Sequence, residues 1–75
     1  MLHVRVVSPA GATGAVVERL AADPGVRNLI VLPGAARQPD GDAIQFDLLD
    51  QFANGVLREL RAQIGGVGSI AVASV

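Results

Sequence analysis

Along "LHVRVV", Leu2, Val4 and Val6 alternate with His3, Arg5 and Val7, the period-two pattern of a strand buried on one face. "SPAGATG" interrupts it with Pro9, Gly11 and Gly14. From about Thr13, Val16, Val17, Leu20 and Ala21 recur at helical spacing, with Glu18, Arg19 and Asp23 on the opposite side, which predicts an amphipathic helix. "DPG" stops that helix, because Pro24 cannot continue it and Gly25 suits the turn that follows.

"VRNLIVL" is β-branched and apolar with little alternation, so it reads as a second strand whose facing the pattern leaves open. In "RQPDGDA", Pro39 presets φ, Asp40 bonds its own backbone and Gly41 accepts a left-handed conformation, which predicts a loop longer than a tight hairpin needs. "AIQFDL" alternates again, with Ile44, Phe46 and Leu48 inward and Gln45 and Asp47 outward. A second helix is predicted from about Leu49 to Ile64, since Phe52, Val56, Leu60 and Ile64 lie four apart, with Ala53 and Leu57 widening the stripe. Asp47 or Asp50 is placed to cap its start and Gly65-Gly66 its end. "SIAVASV" closes the chain as a fourth strand.

The order is strand-helix-strand-strand-helix-strand, two split βαβ units. Right-handed crossovers then put both helices on one face of a four-stranded antiparallel sheet. That is the α+β, ferredoxin-like βαββαβ sandwich with strand order 4-1-3-2.

Composition narrows the picture further. Seventy-five residues make a single domain, near the lower size limit for a chain that buries its own core. Only Phe46 and Phe52 are aromatic, so Val, Leu, Ile and Ala must build that core. The formal charge is −1 with acids and bases interspersed, which gives no electrostatic handle for nucleic acid. Cysteine is absent, excluding disulfides and thiolate chemistry. No apolar run approaches the roughly 20 residues that cross a bilayer, and no signal-peptide pattern opens the chain. A soluble piece exposed to the cytoplasm is the expectation.

Candidate chemistry is sparse. Ser8, Gly11, Thr13 and Gly14 lie between a strand and a helix N-terminus, where backbone N–H groups can hold an anion or small ligand, but the spacing matches neither phosphate-loop pattern. His3 is the only imidazole, and "DGD" (Asp40, Asp42) has too few ligands for calcium; no metal or cofactor is expected. One histidine and three serines assemble no nucleophilic set, and Asp47 with Asp50 reads as helix capping. An enzyme working through His3, Asp47 and Asp50 is therefore disfavoured.

Three functional branches of this topology lack their motifs here. The acylphosphatase arginine loop is missing, as is the Cys-x-x-Cys of soft-metal carriers. The outward aromatics of RNA-recognition modules are replaced by His3, Arg5, Gln45 and Asp47. Those four residues define an open sheet face, expected to be polar. The last strand, with Ile70, Ala71, Val72 and Ala73, carries no charge or proline. An unprotected edge of that kind implies cover by another chain or another domain.

"RVVSP", "DPGVRNLIVLPGAA", "GDAIQFDL" and the terminal "GSIAV" resemble the N-terminal cytoplasmic domain of the prokaryotic membrane-protein family catalogued as uncharacterised-domain family 389. The resemblance spans essentially the whole chain and rests on structural phrases, so it carries over no functional residue. It implies that a multi-span hydrophobic domain follows Val75, which fits the abrupt end and the bare last strand. The reading is a non-catalytic regulatory or assembly domain at the cytoplasmic side of the membrane. It would act by self-association or by docking on its own membrane domain. The alternative is a sensor of a small-molecule effector, similar to the amino-acid-binding modules that share this topology.

Overall fold

The computed structural model describes residues 1–74, and its first strand follows the alternation of the sequence. β1 (Leu2–Ser8) buries Val4, Val6 and Ser8 and turns His3, Arg5 and Val7 to the other face. α1 (Ala10–Ala21) starts about a turn earlier than its apolar spacing predicts. Pro9 is the reason: it sits at the N-cap with φ −59°, preset for a helix and lacking an N–H that would need a partner. Gly11 and Gly14 therefore lie inside the helix, not in a loop before it. α1 buries Val16 and Leu20 and ends where Asp23 Oδ1 accepts the Gly25 N–H at 2.8 Å.

The central segment corrects the expectation of a long loop. β2 (Val26–Arg37) and β3 (Asp40–Leu48) pair out to Arg37↔Asp40, so only Gln38 and Pro39 connect them. Gly41 belongs to β3 and packs tightly: a Cβ there would collide with the carbonyl oxygen of Ser8. No backbone bond to the Asp40 side chain is present among the described residues; the neighbouring Asp42 makes the connections instead.

Two irregularities explain why β2 shows no clean alternation. Arg27 pairs with Asp47 and Ile30 with Gln45, so three steps on β2 match two on β3. Asn28, at φ 55°, is the extra residue, a β-bulge that reverses the facing of everything after it. Leu32↔Ala43 and Ala36↔Gly41 bracket a second irregularity, which holds Pro33 and Gly34 (φ 67°). Val26, Leu29 and Val31 consequently pack towards the core, while Ile30 and Leu32 project from the opposite face, 49% and 43% exposed.

A 3₁₀ turn (Asp50–Phe52) precedes α2 (Ala53–Ile64), so the second helix begins later than expected. Neither aspartate caps it. Asp47 is occupied by His3 and Asn28, and Asp50 Oδ1 lies 3.1 Å from the Met1 ammonium. Gly65, at φ 59°, ends the helix as its position suggests. β4 (Ser69–Ser74) pairs antiparallel with β1; Val75 lies outside the described residues.

The sheet order is β2-β3-β1-β4, with β1 and β3 central as predicted. Val16 and Leu20 of α1 and Val56, Leu60 and Ile64 of α2 join Val4, Val6, Ile44, Phe46 and Leu48 in one buried cluster. Those strand residues share one face of the pleat, so both helices cover that side and the other is bare. This is the ferredoxin-like α+β sandwich.

Candidate functional site

The uncovered face reads as rows across the four strands. The first is Arg27, Asp47, His3 and Ala73; the second Ile30, Gln45, Arg5 and Ala71; the third Leu32, Ala43, Val7 and Ser69. The four residues expected to form an open face, His3, Arg5, Gln45 and Asp47, thus lie together on the two central strands. One flank is polar and the other carries Ile30 and Leu32, which makes the face more apolar than the alternation suggests.

Asp47 organises the polar flank. His3 Nδ1 is 3.0 Å from Asp47 Oδ1, and Asn28 Nδ2 donates to Asp47 Oδ2 at 2.8 Å. These bonds, His3 first and Asn28 second, hold the Asp47 carboxyl below its ordinary value. Because an ionised carboxylate only accepts, the His3 proton sits on Nδ1 and Nε2 points away from Asp47. Sequence reasoning missed Asn28. The signal was there: an asparagine interrupting a β-branched run is a residue that tolerates the left-handed conformation of a bulge.

Arg5 makes no ion pair among the described residues. Its cross-strand neighbours are Gln45 and Ala71, neither of which is acidic. Beside it, His3, Arg5, Ala71, Val72 and Ala73 line an open groove of about 230 Å³ between β1 and β4. The groove exists because β4 presents alanine methyls opposite two long β1 side chains.

The corner between β1 and α1 is committed internally. Thr13 Oγ1 is 2.5 Å from Asp42 Oδ2 and 3.1 Å from Ser8 Oγ. With a single proton, Thr13 donates to the carboxylate. Ser8, fully buried, is then left to donate to Thr13 or to the Pro9 carbonyl at 3.2 Å. Thr13 first and the Gly34 N–H second hold the Asp42 carboxyl below its ordinary value. Gly11 and Gly14 face open space on the helix.

The two sheet edges differ. β2 carries Arg27, Pro33, Arg37 and both register irregularities, the devices that keep an edge from pairing. β4 has none of them. Ala71, Val72 and Ala73 are exposed there, and Ile70 is partly covered by the core. Ile70 and Val72 lie on the helix side of the sheet, Ala71 and Ala73 on the open side.

Among the described residues, no set of three or more His, Cys, Asp or Glu side chains gathers where a metal ion could sit, and no helix is long and apolar enough to cross a membrane. Asp50 is drawn to the N-terminus and not to the His3–Asp47 pair. No family model matches the chain, and no curated protein matches it.

Proposed function

We propose that this chain is a non-catalytic assembly domain that pairs with a second copy of itself through the β4 edge, at the cytoplasmic side of a membrane protein. The observation that carries the pairing is the asymmetry of the edges: β2 is bulged and charged, whereas β4 is regular and uncharged. Charge argues for a like partner. A two-fold axis sets the edge strand against the same strand of its copy, residue i facing residue j and j facing i, so charges of one sign on that strand would repel across the pair, and β4 carries none. Antiparallel β4–β4 pairing extends the sheet to eight strands and satisfies the free backbone groups of both copies. The membrane setting rests on the resemblance carried by "DPGVRNLIVLPGAA" and "GDAIQFDL", which also makes the protein's own membrane domain the second candidate for cover.

Sedimentation equilibrium tests the pairing. A concentration-dependent dimer supports it; a chain that stays monomeric across the accessible concentration range overturns it.

A second reading, a regulatory domain that senses a small molecule, is favoured by the groove beside His3 and Arg5.

A further inference from the structure

We infer that the groove between β1 and β4 is a binding site for a short aliphatic monocarboxylate, with Arg5 as its anchor. This rests on the sensing reading and assigns its ligand class. The acidic side chain nearest to Arg5 across the sheet, Asp47, already accepts from His3 and Asn28, and the residue directly opposite Arg5 on β3 is the neutral Gln45. Among the described residues no side chain occupies the guanidinium's planar fork of donors, a geometry that matches a carboxylate in a bidentate pair.

His3 supplies the second polar contact. Asp47 holds its ring through Nδ1, so Nε2 is the nitrogen available to the groove. There it can donate a hydrogen bond to the carboxylate when the ring is protonated. The rest of the lining is the methyl groups of Ala71 and Ala73 with the Val72 backbone between them, the Val72 side chain lying on the helix side, and the two methyls suit a short hydrocarbon tail.

Size and charge select within the anions. About 230 Å³ is less than the roughly 300–1,000 Å³ of sites for drug-sized ligands, which leaves room for a tail of a few carbons. One arginine on an apolar floor offers little to a multiply charged phosphate, which draws on several cations or backbone amides. A ligand so small in so open a groove binds with a Kd on the order of millimolar.

Titration of the ¹⁵N-labelled chain with sodium butyrate, n-butylamine and inorganic phosphate tests the assignment. Butyrate is expected to shift the amides of His3, Arg5, Ala71, Val72 and Ala73 saturably, with little response to the other two. Arg5→Gln is expected to weaken butyrate at least about tenfold, the loss of a charge-assisted bidentate pair. Ala71→Leu, which fills the groove from an exposed position, is expected to abolish binding while spectral dispersion stays unchanged. If butylamine saturates the groove and butyrate does not, the carboxylate assignment falls and the sensing reading stands. If phosphate binds as well as butyrate, or Arg5→Gln leaves butyrate binding intact, the assignment falls as well. If none of the three saturates these amides, assignment and sensing reading fall together.

Discussion

Thr13 and Asp42, twenty-nine positions apart, meet at 2.5 Å between the first turn of α1 and the helix-facing side of β3. The other oxygen of Asp42 accepts the Gly34 N–H at 2.7 Å. One carboxylate thus ties the start of a helix to both arms of the β2–β3 hairpin. It also occupies the hydroxyl that a ligand at that helix terminus would otherwise use.

The pH dependence of stability follows from that contact. The folded-state pKa of Asp42 lies below its ordinary 3.8. Its contribution is therefore full above 3.8 and is lost as the pH falls through the lower folded-state value. Asp42→Asn removes this component. The stability gap between wild type and Asp42→Asn, measured by urea unfolding across the acid range, is expected to shrink as the pH drops below 3.8. A gap that stays constant with pH would show that the charge of Asp42 is irrelevant to the contact.

Phe46 is 1% exposed at the centre of the cluster shared by β3 and both helices. Phe46→Ala is expected to cost about 3–5 kcal/mol, comparable to the whole net stability of a domain this small, roughly 3–5 kcal/mol. Far-UV circular dichroism should find the variant largely unfolded at room temperature, whereas Phe46→Leu keeps the fold with a lowered Tm.

Two glycines should respond in opposite directions. Gly14 faces open space within α1, so Gly14→Ala is expected to stabilise by about 0.5–1 kcal/mol through helix propensity and a less disordered unfolded state. Gly41 packs against the Ser8 carbonyl, and Gly41→Ala must push β3 away from it and lower Tm. Thermal unfolding of the two variants reads both signs.

On the β4 edge, Val72 is 44% exposed on the helix side of the sheet. Val72→Lys puts like charges on both strands of an antiparallel β4 pair, near the middle of each, and is expected to shift the sedimentation equilibrium to monomer, with the far-UV spectrum unchanged. Lys at Leu32, also exposed but on the open face beside the bulged β2 edge, should leave dimerisation intact. Equal effects at both positions would argue against edge pairing.

Much of the architecture was legible because it depends on local repetition. The alternation in β1 and β3 and the four-residue spacing of Val56, Leu60 and Ile64 each specify which face must leave water. With short links, right-handed crossovers then allow a single simple sandwich. His3, Arg5, Gln45 and Asp47 were placed on one face by the same period-two rule, and β4 was marked as a bare edge by its lack of charge.

What the sequence alone determined, then, is the set of elements, their order and the face that β1, β3 and the two helices bury, since these follow from periodicity within a few residues. The tertiary structure decided which polar groups have partners. Asp47 and Asp50 look like caps until His3, Asn28 and the N-terminus claim them, and Thr13 looks free until Asp42 reaches it. It also decided the length of the β2–β3 hairpin and the outward facing of Ile30 and Leu32. The facing depends on the left-handed Asn28, and the hairpin length on cross-strand pairing that runs out to Arg37 and Asp40. Hydrogen bonds between distant segments obey geometry and not spacing, which is why the solitary Arg5 beside its groove came into view only once the strands were laid side by side.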